Sequence, residues 1–192
     1  IYNNYVGIHF DSSNESIIIG NNCSANSYSG IYLEDSSCNN EINRNDCFLN
    51  NYYGIVFKES CNYNNILRNN CTSKSSGIVL AYSSMHNEIL WNNCSFNQDI
   101  GIWLIYSSNH NNISGNICIF NSEGVYLDHS ENNEISENNC SSNRNAGIYF
   151  YFSSDSKVFK NNCTMNQVNG ISLLYSSNIR IFKNDCSCNR KS

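Results

Sequence analysis

Eleven cysteines are the softest potential ligands in this chain of 192 residues, and most of them recur. Cys23, Cys47, Cys71, Cys94, Cys118, Cys140, Cys163 and Cys186 return every 22 to 24 residues. Thiolates suit Cu(I) or Zn(II). Metal sites built from cysteines, however, use close local pairs, whereas this series supplies one thiol per repeat at an apolar position. It is expected to be a row of small apolar side chains, mostly free and buried. In-register side chains on parallel neighbours point the same way, which opposes disulfide geometry. Cys38 and Cys61 stand outside the series in the same corner of successive repeats, so a disulfide or a shared metal ion is the chemistry to look for there. Cys188 takes the place held by Met165 one repeat earlier and is expected in the core. The odd total opposes a fully paired disulfide framework.

Carboxylates form a second constellation. His9, Asp11, Glu34, Asp35 and Glu59 fall on neighbouring repeats, and Asp128 stands beside His129 further along. Carboxylates one repeat apart suit acid and base roles on a glycoside, or Ca²⁺ bound against an acidic sugar, with Asp11, Glu34, Asp35 and Asp128 as the candidate groups. The competing reading is solvated surface charge. Only Lys58 lies near them as a cation, which opposes a lyase that needs a base beside bound calcium. Aromatics supply a third set: Tyr32, Tyr82, Trp103, Tyr106, Tyr126, Tyr149, Tyr151, Phe152 and Tyr175 form an outward stripe. Of these, Tyr32, Trp103, Tyr126, Tyr149 and Tyr151 are the candidates for stacking on sugar rings or contacting another protein. Aromatic ladders that only stabilise neighbouring strands are the alternative.

What must position these groups is a repeat. Gly7, Gly30, Gly54, Gly77, Gly101, Gly124, Gly147 and Gly170 are spaced by 23 or 24 residues. One residue after each stands Ile or Val, and three after it stands Leu or Phe, while the residue between varies from His9 through Tyr32 and Val56 to Ser172. That alternation is a strand with one buried face. A second apolar series runs Ile18, Ile42, Ile66, Ile89, Ile113, Ile135, Val158 and Ile181. The cysteines, followed two residues later by Leu49, Phe96, Phe120 or Met165, predict a third. The fold expected is all-β, a single-stranded right-handed parallel β-helix of about eight coils with three short strands per coil, forming one domain over 1–192. Helical solenoids fail because no stripe of period 3.6 exists and Asn, Ser and β-branched residues form helices poorly.

Polar positions recur too. Asn21, Asn45, Asn69, Asn92, Asn116, Asn138, Asn161 and Asn184 precede the cysteines by two, and Asn26, Asn50, Asn97, Asn121, Asn143, Asn166 and Asn189 follow them by three. With coils about 4.8 Å apart, such amides are expected to form ladders. Lys74 interrupts the second ladder, which predicts a local bulge. A serine ladder is expected from Ser13, Ser36, Ser60, Ser83, Ser107, Ser130, Ser153 and Ser176, with the extra residues of longer repeats placed after the serine and between Cys and Gly.

The phrase G-I-x-L-x-x-S followed by N-x-I-x-x-N resembles the right-handed parallel β-helix repeat of carbohydrate-binding proteins and sugar hydrolases, and of the NosD-type periplasmic copper-binding domain. The resemblance covers essentially the whole chain. It implies an extracellular, cell-surface or periplasmic protein whose partners are carbohydrate or a protein surface, with Ca or Cu as the cofactors in question. A structural and binding segment is the favoured reading. A polysaccharide lyase, hydrolase or epimerase acting on acidic sugars, and a copper-handling protein, are the alternatives.

Composition narrows the rest. A net charge of −5 without any Lys/Arg cluster excludes a phosphate-tracking, nucleic-acid-binding surface. The apolar stretch from Gly101 to Tyr106 falls far short of the ~20 residues of a membrane helix, so no membrane insertion is expected. Ile1 opens without a basic, then apolar, leader, and the chain both starts and stops (at Ser192) partway through a repeat. Flanking β-helix coils or caps are therefore expected in a longer parent chain.

Overall fold

The computed structural model describes residues 3–190, so Ile1 and Ser192 lie outside the described residues. Two parallel sheets of eight strands run along the molecule. The first contains the glycine-led strands β1 (Val6–Asp11), β3 (Ser29–Glu34), β5 (Tyr53–Lys58), β7 (Ser76–Ala81), β9 (Ile100–Ile105), β11 (Glu123–Asp128), β13 (Ala146–Tyr151) and β15 (Asn169–Leu174). The second contains β2 (Ile17–Ile19), β4 (Glu41–Asn43), β6 (Asn65–Leu67), β8 (Glu88–Leu90), β10 (Asn112–Ser114), β12 (Glu134–Ser136), β14 (Lys157–Phe159) and β16 (Arg180–Phe182). Each strand pairs with the equivalent strand one coil on, so Ile31 aligns with Ile8 and Ile55, and Ile42 with Ile18 and Ile66. The chain is an all-β parallel β-helix.

Alternation along the longer strands sends Ile31, Leu33, Ile55, Phe57, Ile78, Leu80, Ile102 and Leu104 inward, where all are fully buried. They meet the second apolar series and the cysteine row in one continuous core. No coil has a hydrophobic interior of its own; each is stable only because its neighbours cover it.

The third side differs from expectation. Each coil contributes a single bridged residue there rather than a strand, as in Asn22–Asp46, Asp46–Asn70 and Asn162–Asp185. Two residues after the cysteine the backbone turns left-handed, with φ of 56° at Leu49, 59° at Phe96, 57° at Phe120, 57° at Met165 and 59° at Cys188. That turn ends the extended segment and swings these side chains outward, so all five are exposed, Cys188 included. The expectation of a core Cys188 is therefore corrected.

Amide ladders brace the corners. Asn45 Nδ2 donates to Asn69 Oδ1 at 3.0 Å, Asn69 to Asn92 at 3.0 Å and Asn92 to Asn116 at 3.1 Å. Each Oδ1 also accepts the backbone N–H of the preceding coil's Asn, at 2.8 Å for Asn69 onto Asn92. A further ladder runs through Asn40, Asn64, Asn87, Asn111 and Asn133 before Ser156 takes over.

Two corner assignments change. At the Asn26 ladder, Lys74 does not bulge: the turn is one residue shorter, and Ser73 occupies the ladder position, its N–H donating to Asn97 Oδ1 at 2.6 Å. At the first corner, the residues that face inward are Ser37, Cys61, Ser84 and Ser108, not Ser36, Ser60, Ser83 and Ser107. Ser37 Oγ donates to Glu34 O, Cys61 Sγ to Lys58 O and Ser84 Oγ to Ala81 O. The extra residue precedes the ladder position, creating two consecutive left-handed residues at Asp35–Ser36, Glu59–Ser60, Tyr82–Ser83 and Tyr106–Ser107. Coils with Ser12, His129, Phe152 and Tyr175 at this corner carry one.

Candidate functional site

The outward face of the glycine-led sheet collects the free positions of the repeat. Its central row runs His9, Tyr32, Val56, Val79, Trp103, Tyr126, Tyr149 and Ser172 in register. His9 stacks on Tyr32 at 5.2 Å, Trp103 on Tyr126 at 6.2 Å and Tyr126 on Tyr149 at 5.1 Å. The stripe is therefore broken. Between Tyr32 and Trp103 the two small residues Val56 and Val79 leave a trough.

Val56, Val79, Ala81 and Ile105 form its floor, buried as an apolar cluster outside the main core. Tyr28 and Tyr53 make one wall, Tyr82 and Tyr106 the other, with Trp103 at one end and Lys58 at the rim, around a cavity of about 300 Å³. Tyr82 and Tyr106 occupy the first left-handed position of the lengthened corner, so the extra residue supplies that wall. Trp103 Nε1 is buried there without a hydrogen-bond partner among the described residues. Burial raises the Tyr28 phenol to about 12, and burial raises Tyr53 as well, so the wall they form stays neutral at ordinary pH.

Sequence reasoning placed Tyr82, Trp103 and Tyr106 outward but missed Tyr28 and Tyr53, and it did not identify a floor. For Tyr28 the signal was present as Tyr5, Tyr28 and Tyr52 two residues before their glycines, with Tyr5 and Tyr28 stacked at 5.1 Å, whereas Tyr53 stands one residue before Gly54 and outside that series. Tyr151 lies apart from the trough, edge-on to Phe152 at 4.6 Å, while Phe152 stacks on Tyr175 at 4.7 Å.

The carboxylates divide into four settings. Glu34 is held at both oxygens, accepting from Tyr32 Oη at 2.7 Å and lying 2.8 Å from His9 Nε2. Asp35 is raised above the usual carboxylate value by hydrogen bonding with Glu59 and by the nearby charges of Glu59, Asp11 and Glu34. Asp11 accepts from Ser12 Oγ. Asp128 pairs with His129 Nδ1 at 2.6 Å, away from the first cluster. Lys58, the cation at this face, is committed to Glu59 at 3.3 Å.

The thiols do not converge. All eleven are free. Cys61 points into the corner ladder, whereas Cys38, the next corner position one coil earlier, is half-buried and accepts the Asn62 N–H at 3.3 Å. Burial pushes the Cys61 thiol up to about 12 and holds Cys47 and Cys94 well above their ordinary value. Access to the sulfur decides the outcome, since Cys71 and Cys118 are lowered by their neighbouring thiols yet stay fully buried: alkylation of the native protein at mildly alkaline pH is expected to label Cys38 and Cys188, and Cys186 more slowly because burial raises its thiol to about 11, with the eight buried thiols reacting only in denaturant. Mass spectrometry counts the adducts, and native labelling of the buried row would contradict this packing.

The repeat phrase, the two parallel sheets and the corner ladders find their counterpart in one family model, described as periplasmic copper-binding protein (NosD), which matches residues 1–94 and 83–192. The chain belongs to the NosD family. Among solved structures, the periplasmic alginate epimerase AlgG matches this NosD chain with a TM-score of 0.82 at 22% identity, over 92% of this chain and 47% of that one. A mutant of AlgG gives 0.87 and 23%, covering 94% and 47%. The A-module of the Azotobacter vinelandii mannuronan C-5 epimerase AlgE6 gives 0.74 and 14%, covering 88% and 57%. These likenesses show the fold, and the chain spans about half the length of AlgG. Curated proteins give no match.

Copper, named in the family description, does not fit the donors seen here. Among the described residues no three His, Cys, Asp or Glu side chains gather to hold a metal ion. His86 and His110 stack in parallel at 5.0 Å, which keeps their in-plane lone pairs from meeting at one point. Ca²⁺ lacks a gathered donor set on the same ground. No helix of the described residues is long and apolar enough to cross a membrane.

Proposed function

We propose that this chain is the rigid carbohydrate-contacting segment of an exported β-helix protein, and that the trough between Tyr32 and Trp103 is where the sugar sits. The trough carries the proposal: an apolar floor with aromatic walls complements the C–H faces of sugar rings. Tyr126 and Tyr149 extend the stacking surface along the rod, and the family description and the epimerase likenesses support an extracytoplasmic, sugar-handling setting.

Screening an oligosaccharide array tests the proposal. Trp103→Ala is expected to weaken binding at least about tenfold, in line with the loss of an aromatic anchor, while circular dichroism stays unchanged because the residue lies outside the main core. Equal binding by the variant would remove the trough from the site. A catalytic reading of the same face is favoured by one observation, Glu34 held between His9 and Tyr32. In that reading Glu34, with Asp11 and Asp35 nearby or Asp128 beside His129, moves protons on the sugar. Product release or epimerisation in the same assay, abolished in Glu34→Gln, would assign it.

A further inference from the structure

Asparagine followed two residues on by Ser or Thr, with no proline between, is the acceptor phrase for N-linked glycosylation. It recurs here as Asn-Cys-Ser or Asn-Cys-Thr at Asn22, Asn70, Asn93, Asn139 and Asn162, and again at Asn14 and Asn112. None of the buried asparagines stands in such a phrase. The five that adjoin a cysteine belong to one bridged row along the third side of the helix. Of these, Asn22, Asn93 and Asn162 are exposed, whereas Asn70 and Asn139 are half-buried. The exposed three fall on every third coil, about 14 Å apart at the usual strand spacing. At Asn162, Oδ1 accepts the Thr164 N–H at 3.2 Å and the Thr164 hydroxyl at 2.8 Å, while Nδ2 makes no hydrogen bond among the described residues. The hydroxyl that the phrase requires therefore holds the side chain by its oxygen and leaves the nitrogen unengaged. Three residues after Asn93 and Asn162 stand Phe96 and Met165, 62% and 61% exposed, apolar surface that an adjoining sugar chain would cover. The glycine-led strands carry none of these phrases.

We propose that Asn22, Asn93 and Asn162 are N-glycosylation sites, which place a row of covalent sugar chains on a side of the rod other than the one that carries the trough. The proposal rests on export of the protein, since this modification belongs to secreted chains; it does not depend on what the trough binds. The donor is an oligosaccharide carried on a lipid phosphate. Asparagine Nδ2 forms a bond to the anomeric carbon of the sugar as the bond from that carbon to the phosphate oxygen breaks. The phosphate leaves with the electron pair, an amide proton passes to a base of the transferase, and nothing is oxidised or reduced. Bridged neighbours lie only about 4.8 Å apart, which leaves room for one chain per pair, so Asn70 and Asn139 stay bare beside Asn93 and Asn162.

Mass spectrometry of proteolytic peptides, from the full chain purified out of the cells that make it, tests the assignment. Glycan adducts are expected at Asn22, Asn93 and Asn162 and not at Asn70 or Asn139. Thr164→Ala should abolish the adduct at Asn162 alone, and Thr164→Ser should retain it. Asn162→Gln, a change at an exposed position, should remove the same adduct with circular dichroism unchanged. An exported protein whose three asparagines are bare would overturn the proposal and leave the carbohydrate reading of the trough intact. Equal occupancy of Asn70 and Asn139 would overturn the selection by exposure, and an adduct that survives Thr164→Ala would show that this phrase does not direct the modification. A protein found only in the cytoplasm would defeat export itself, and the three sites with it.

Discussion

Asn92→Ala is expected to destabilise the protein by about 3–5 kcal/mol, because four hydrogen-bonding groups, Asn116 Oδ1 among them, lose a bond to the removed amide inside the molecule. Asn92 Nδ2 donates to Ile66 O at 2.8 Å, and Asn92 Oδ1 accepts both the Asn69 N–H at 2.8 Å and Asn69 Nδ2 at 3.0 Å. All of these lie where water does not reach, since Asn69 and Asn92 are essentially unexposed. A buried polar group left unpaired costs about 1–3 kcal/mol, and the losses here fall on one corner. Asn184→Ala offers the comparison: Asn184 makes the same kind of bond, to Val158 O at 2.9 Å, but on a partly exposed coil where solvent replaces it. Urea unfolding followed by circular dichroism checks both. Equal midpoints for the two variants would mean that the ladder contributes no more at the centre than at the end. A defect in a middle coil also weakens coupling between the halves of a repeat array, so a broadened transition is expected alongside the shift.

Gly101→Ala is expected to cost about 3 kcal/mol or more, through overpacking against groups that cannot move aside. A Cβ at Gly101 would stand 2.5 Å from Gly124 O and 3.0 Å from Cys118 Cβ. The first is the backbone of the next coil, pinned by the sheet. Conformation is not the issue at this position; proximity is. Gly20→Ala separates the two effects: its φ is +66° and nothing lies within 4 Å, so only the left-handed backbone penalty of about 1–2 kcal/mol applies. Thermal unfolding should rank Gly101→Ala well below Gly20→Ala. The reverse order would show that the coils can separate to admit a methyl group.

These variants also show how much was legible beforehand. The glycine, isoleucine, asparagine and cysteine series each place one residue per coil in one environment, so position in the repeat is enough to read their role. Cys188 was misplaced because a strand was extrapolated through Met165, although both occupy a left-handed turn. The serine row was misaligned because counting from the glycine hides an inserted residue, and the inward hydroxyl is then taken as Ser60 when the structure places Cys61 there. Lys74 was read as a bulge where the turn had lost a residue instead. Each error fell at a corner, where one residue more or less changes which side chain faces in without disturbing the strands.

The sequence by itself determined the parallel β-helix, its inward rows, its amide ladders and the burial of most of its thiols. Those features depend on period-2 alternation within a coil and identity between coils, both written directly in the chain. The tertiary structure alone decided the trough. Its floor comes from Val56, Val79, Ala81 and Ile105, and its walls from Tyr28, Tyr53, Tyr82 and Tyr106, contributed by coils whose corners differ in length. Residues far apart in the chain became neighbours there because coil stacking sets the register, and the inserted corner residue selects which side chains stand above the sheet.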